Sequence, residues 1–394
     1  MKKIPRKLQN YLKKKNKSIL RKIKLESNYL KSIAYRKKRI EKKFIYDTSI
    51  QALRKKKKKF QTKFYKKIKF DSKFLPIVID GHFGLEKNFD EFIKISSSFI
   101  DSQSKLILFN LDKCTRIWPT AVTLLCSFKQ WTEITAKEGY IPSLSSTEPQ
   151  DETVNSYLQH CGFYDYVNVE EDVSKNNAIA YDDEIVKIKR EKKPSEIKSR
   201  EDAICRVLEK YSLLTEDQIE IFDCIVLIEA FNNVTEHGHS HKDDGWWTLT
   251  QYHKRTGIIS LCLADNGIGI KNSLQTGPQG IEIKKEIRSD DDGKYILMAL
   301  KENISGAIRA SIKDAKGKLP FTKRFSKGSR RGNGLNRIVE ACLECGIGIN
   351  LLSQRGYLSI NSQGKIMKSG TANSRIFAGT LYHFVIPAKK ILEN

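Results

Sequence analysis

The sequence predicts an α+β fold for residues 201–394, preceded by a small α/β domain over 71–186 and a basic helical arm over 1–70. Three observations carry this: charge confined to one end, β-like runs alternating with helical patterns in the middle, and helices followed by an antiparallel meander at the end. At 394 residues the chain is long enough for two ordinary domains with an appendage.

Residues 1–70 hold 28 Lys and Arg against Glu26, Glu41 and Asp47, so this segment alone accounts for the formal charge of +25. The rest of the chain is balanced. Apolar residues at helical intervals, Leu8 with Leu12 and Ile19 with Ile23, predict helices in the arm. Its charge admits nucleic-acid binding, adsorption to an anionic membrane, or a merely solvated extension. No apolar run approaches the ~18 residues that span a bilayer, and the first residues lack the apolar stretch of a signal peptide, so no transmembrane segment and a cytoplasmic location are expected. The eight cysteines fall in apolar stretches and read as reduced, buried thiols; Cys342 and Cys345 have the C-x-x-C spacing without a second pair to complete a metal site.

From about residue 71 the elements follow in order. Pro76 to Asp80 and Leu106 to Leu111 read as strands, Ala121 to Lys137 as an amphipathic helix ending before Gly139, and 153–161 as a short helix. The charged stretch 187–200, with Pro194, reads as a linker. Thr215 and Gln218 then form a capping box, and Ile219, Phe222, Ile225, Val226 and Ala230 trace the apolar face of the helix that it opens. Two strands follow, Trp246 to Tyr252 and Ile258 to Ala264, with a turn at Thr256 and Gly257. A helix from about Leu335 to Cys345 ends at Gly346, and strands at Ile347 to Ser353, Tyr357 to Asn361 and Phe377 to Ile386 complete the meander.

Three constellations carry chemistry. On the capped helix, Glu229, Asn233 and His237 are spaced four apart, which places them on one stripe about 40° and 6 Å from residue to residue. That stripe offers a base, an oxygen ligand for Mg²⁺ and a donor to phosphate. Directly after a strand, Asp265-Asn266-Gly267-Ile268-Gly269 offers a carboxylate that can accept from an exocyclic amine, beside glycines that let a ligand approach backbone. Arg330-Arg331-Gly332-Asn333-Gly334 opens a helix, where free N–H groups and the positive dipole end suit phosphate.

In this order, with Gly379-Thr380 on the closing strand, these motifs resemble the N, G1 and G2 boxes of the GHKL ATPases (gyrase, Hsp90, histidine kinase and MutL). The resemblance implies an α/β sandwich with a mixed, largely antiparallel sheet and one helical layer. It implies ATP and Mg²⁺ as cofactors, with Glu229 as general base, Asn233 as metal ligand, and Asp265 as acceptor of the adenine amine. Gly267, Gly269, Gly332, Gly334 and Thr380 would contact nucleotide, with His237 near the phosphates. Asn232 lies at the magnesium end of the same helix and competes for its neighbour's role. Residues 271–331 would be a lid over the nucleotide, with Lys327, Arg330 and Arg331 among the basic residues that a γ-phosphate would order. His237, His239 and His241 alternate, but without a further ligand cluster they read as loop residues.

The form Glu229-Ala-Phe-Asn-Asn-Val-Thr-Glu-His237 looks closest to the anti-sigma-factor serine kinases, whose partners are STAS-domain proteins. Residues 75–170 weakly resemble a STAS domain, with Thr120 near the phosphoacceptor position but without the preceding Asp. A sensor histidine kinase is not expected, because His82 and His160, the histidines upstream of the N box, lack the acidic residue and helical context of a phosphoacceptor. The expected function is a Mg²⁺-dependent ATPase switch. The alternatives are a Ser/Thr kinase acting on a STAS-like partner and an ATP-gated binding module without turnover. Expected partners are ATP, nucleic acid through residues 1–70, a protein bound through the STAS-like domain, and a second copy of the chain.

Overall fold

The computed structural model describes residues 75–100, 107–135, 144–169, 184–192, 194–237, 245–276, 280–287, 290–300 and 334–391. The basic arm lies outside them, as do Lys327, Arg330, Arg331, Gly332 and the His237 side chain. Residues 72–394 form one compact unit.

The first part of that unit runs β1 (Leu75–Val78), β2 (Gly81–Phe83), α1 (Phe89–Ile100), β3 (Ile107–Asn110), β4 (Cys114–Ile117), α2 (Pro119–Thr135), β5 (Leu144–Ser146), α3 (Glu152–His160) and β6 (Asn168–Val169). Strands β1, β3, β5 and β6 pair side by side in parallel, as expected of an α/β layer, and β2 pairs with β4 in a separate two-stranded sheet. Pro119 opens α2, where its missing N–H costs nothing. Asp151 caps α3 by accepting from the Thr153 and Val154 amides.

Next come β7 (Glu184–Glu191) and α4 (Ile197–Tyr211). The stretch expected as a linker is therefore edge strand and helix. Lys187, Lys189, Lys192 and Lys198 sit on exposed positions, while Ile188 and Ile197 are buried. A paired Glu191 and Arg200 are also buried there: Glu191 accepts from Trp246 Nε1 at 3.0 Å and Arg200 Nη2 donates to Thr248 O at 2.7 Å. Burial pushes the Glu191 carboxyl up, against the pull of Arg200.

The predicted capping box is present, with Gln218 N donating to Thr215 Oγ1 at 3.3 Å and Thr215 N to Gln218 Oε1 at 2.9 Å. It starts a helix made of α5 (Glu216–Ile221), a π-helical turn over Phe222–Leu227, and α6 (Ile228–His237). The chain continues with β8 (Trp246–His253), β9 (Ile258–Asp265), α7 (Gly269–Thr276), α8 (Gly280–Glu286), α9 (Asp292–Ala299) and α10 (Gly334–Glu344). It closes with β10 (Gly348–Ser353), β11 (Gly356–Ile360), β12 (Ile366–Thr371) and β13 (Thr380–Pro387).

Seven strands form one sheet in the order β12-β11-β10-β13-β9-β8-β7, and every pairing described within it is antiparallel, so the expected mixed sheet is not what forms. Helices cover one face. Ile204, Phe222, Val226, Phe231, Ile338 and Cys342 pack there against Leu263, Leu351 and Phe384. The other face is not open: Trp247, Leu249, Cys262 and Leu381 share a core with Phe109, Leu125, Phe128 and Trp131 of the first layer. Strands β8 and β9 are thus buried on both sides, which is why their sequences lose the alternation of a half-solvated strand.

Part of the expected lid is also packed. The N-terminus of α9 sits on the β11–β12 edge, where Asp292 is buried and accepts from Lys271 Nζ at 2.9 Å and from Arg355 N at 3.1 Å. Asp290 joins the cluster, and its hydrogen bond from Lys271 holds its carboxyl below the usual range. Gly293 fits against Gly370, whose carbonyl oxygen would lie 2.4 Å from an added Cβ. Residues 277–279, 288–289 and 301–331 of the expected lid lie outside the described residues.

Thr120, expected near a phosphoacceptor position, is fully buried in the first turn of α2. Its hydroxyl accepts from Leu85 N at 3.0 Å and donates to Glu86, so the position is closed to a modifying enzyme.

One shared sheet predicts one unfolding event. Phe109→Ala in the first layer and Phe231→Ala in the helical layer should each cost about 3–5 kcal/mol and lower the same cooperative transition. Denaturant unfolding followed by tryptophan fluorescence and circular dichroism checks this; two separated transitions would contradict it.

Candidate functional site

Apart from Asn232, the expected residues that the structure describes lie near one corner of the helical face, where β9 ends, β13 begins and α10 starts. The stripe on α6 comes first. Asn233 Nδ2 donates to the Tyr382 hydroxyl at 3.2 Å, tying the helix to β13. Glu229 is paired through Oε1 with Arg337, one turn into α10. Gly334, the first residue of α10, lies against both: an added Cβ would be 3.1 Å from Asn233 Oδ1 and 3.4 Å from Glu229 Oε2. A residue without a side chain therefore lets the start of α10 meet the acid and the amide together. Asn232 is ~100° around the helix from Asn233, so the two amides do not share a face. Of the two, Asn233 is the one that meets Gly334 and Tyr382.

The second part of the corner is backbone. Asp265, the last residue of β9, is buried and accepts from Gly267 N through Oδ1 at 2.7 Å. It stands opposite Thr380, the first residue of β13. Gly379 runs so close beneath this turn that an added Cβ would lie 2.3 Å from Asp265 O and 2.4 Å from Gly267 N. Ser353 joins three pieces, accepting from Ile270 N at 2.9 Å and donating to Gly379 O at 3.0 Å, with Thr380 Oγ1 at 3.3 Å. Gly269 opens α7 with φ of +73°, a left-handed conformation suited to glycine, and its Cα faces the Gln354 side chain.

Three contributors were not anticipated. Tyr382 shares a strand face with Thr380 and Phe384, so strand parity alone places it toward the helices. Burial, with Asp265 nearby, pushes its phenol well above the ordinary value and keeps it neutral. Arg337 lies three residues into the helix that Gly334 opens, a spacing that puts it on the same side. Asn266, which reads as an ordinary turn residue, is buried with its amide turned away from the corner: Nδ2 donates to Ser127 O at 2.8 Å, and Oδ1 accepts from Ser127 Oγ at 2.8 Å. The turn carrying Asp265 and Gly267 is thus anchored to α2 of the first layer. No sequence signal marks that role, because it depends on a contact across 139 residues.

The donors are two carboxylates, Glu229 in its pair with Arg337 and buried Asp265, one amide oxygen and the backbone at a helix start, an oxygen-rich set of the kind hard cations and phosphate accept rather than a soft metal. Gly379→Ala should test how tightly the corner is built. It is expected to lower stability by roughly 1–3 kcal/mol, because the methyl must displace Asp265 or Gly267; an unchanged unfolding midpoint would mean the close approach is relaxed in solution. No helix among the described residues is long and apolar enough to cross a membrane. Comparison with protein-family models, with curated proteins and with solved structures finds no match.

Proposed function

We propose that this chain binds ATP with Mg²⁺ at the β9–β13–α10 corner and hydrolyses it as a GHKL-type switch. One observation carries the reading: Gly334 at the start of α10 meets Glu229 and Asn233, and Asn233 reaches Tyr382 on β13, two residues from Thr380 and opposite the strand that ends in Asp265. Motifs separated by about a hundred residues of sequence thereby lie together at one end of the sheet, which supports this reading.

In this reading the Asn233 amide oxygen is the metal ligand and the Asp265 carboxylate accepts the exocyclic amine of adenine. Gly267, Gly269, Gly332, Gly334 and Thr380 border the nucleotide, and His237, Lys327, Arg330 and Arg331 approach its phosphates. Bound magnesium–ATP supplies the phosphoryl group and the charge that lid residues respond to. Glu229 takes a proton from the attacking water, which requires Arg337 to release or share its carboxylate. Released from Glu229, Arg337 becomes a free cation one turn from the helix start, suited to developing negative charge.

Closure of the expected lid, 271–331, on nucleotide would be read out by the arm or by the first layer. The arm's 28 Lys and Arg support nucleic acid as its partner. A kinase reading needs an acceptor elsewhere than Thr120, on a STAS-like partner. Incubation with γ-labelled ATP distinguishes these outcomes: released phosphate supports hydrolysis, label transferred to protein supports the kinase, and retained intact ATP supports a binding module. Glu229→Gln is expected to lower turnover at least ~100-fold while nucleotide binding persists; equal turnover would remove Glu229 from the base role. For the arm, the full chain should bind duplex DNA or RNA with affinity that drops steeply between 50 and 200 mM salt, by roughly a thousandfold if six or more phosphates are contacted. Salt-independent binding, or none at low salt, would contradict that partner.

A further inference from the structure

On the opposite face of the sheet, between it and the first layer, lies a group of donors with no part in the nucleotide corner. Cys262 on β9 and His383 on β13 are directly opposed in the antiparallel pair, so both side chains enter the interlayer space from one rigid ladder. Glu86, from the loop after β2, meets them there. One ligand-type atom from each of Glu86, Cys262 and His383 lies within 4.8 Å of the others, and Glu86 Oε1 is 3.5 Å from His383 Nε2. Cys262 and His383 are wholly buried, and the Glu86 side chain is nearly so.

We propose that Glu86, Cys262 and His383 form a binding site for one zinc-like transition-metal ion that staples the first layer to the back of the sheet. A thiol, an imidazole and a carboxylate are the three donor types that Zn²⁺ accepts. The Ser260 hydroxyl lies 3.0 Å from Glu86 Oε1 and 2.7 Å from His383 Nε2, and an entering ion must displace these hydrogen bonds.

His383 and Glu86 also have partners on their outer sides, the arrangement that orients metal ligands. Asn350 Nδ2 lies 3.0 Å from His383 Nδ1; a metal on Nε2 requires this amide to turn its oxygen to the ring and accept the Nδ1 proton. Glu86 is held by the Thr120 amide at 3.3 Å and by the Thr120 hydroxyl. Asn350 also lines a groove of about 380 Å³ with Gly348, Ser359 and Val385, which brings solvent to the residue next to the imidazole and provides an entry path. Through Ser260 the same groups can hydrogen-bond one another without an ion, so the alternative is a purely hydrogen-bonded latch.

The full chain, stripped with a chelator and dialysed, should take up about one equivalent of Zn²⁺ in competition with a chromophoric chelator, and Co²⁺ in its place should give a thiolate charge-transfer band. Cys262→Ser and His383→Gln keep size and hydrogen bonding, and each is expected to weaken zinc binding at least ~10-fold, whereas Cys342→Ser in the helical core leaves it unchanged. A folded chain that binds no zinc at micromolar concentration, a cobalt complex without the thiolate band, or equal affinity in the Cys262 and His383 variants would each overturn the site and leave the latch. None of these outcomes bears on nucleotide binding at the other face.

Discussion

Everything in this fold depends on the pairing of β9 with β13 in the middle of a sheet that is covered on both sides. That ladder sets Thr380 opposite Asp265 at one end, which makes the candidate nucleotide corner on the helical face. Two residues further in from Thr380, Tyr382 points to the same face and ties it to Asn233; the next residue, His383, points the other way into the interlayer cluster with Cys262. A slip of one residue would exchange the two faces, sending Tyr382 to the first layer and His383 among the helices. Burial of Trp247, Leu249 and Leu381 on one side and of Leu263 and Phe384 on the other holds the register.

A consequence is that the first layer is part of the seven-stranded sheet's scaffold rather than a module beside it. Asn266 makes the point at atomic scale, since the middle residue of the Asp-Asn-Gly turn spends its amide on Ser127 of α2. Gln130, one turn along, accepts from both Asn266 and the Trp247 indole. Movement of α2 would therefore reach the turn that carries Asp265 through direct hydrogen bonds, a physical basis for coupling between the two layers.

Much of this was legible in the sequence where a local signal decides the outcome. The capping box at Thr215, the helix ending before Gly346 and the strands flanking Gly257 need only neighbours within a few residues, and they lie where the pattern puts them. Misjudged elements are those decided by distant partners. The stretch 187–200 reads as a charged linker because Glu191 and Arg200 look solvated, yet each is buried by pairing with the other and with β8. Strand β12 has few large apolar residues and exists because β11 offers it an edge. At the site, the Glu229 and Asn233 stripe, the Asp265 turn and Gly334 were visible as motifs, whereas Arg337 and Tyr382 needed the strand and helix faces to be brought together first.

The nucleotide reading stands on whether that corner takes up a magnesium-bound triphosphate. Isothermal titration of ATP into the full chain, with and without Mg²⁺, tests it most directly. The account expects saturable binding at one site per chain that weakens when magnesium is withheld. A chain that is folded by circular dichroism and gives no saturable heat at millimolar ATP and Mg²⁺ would contradict it.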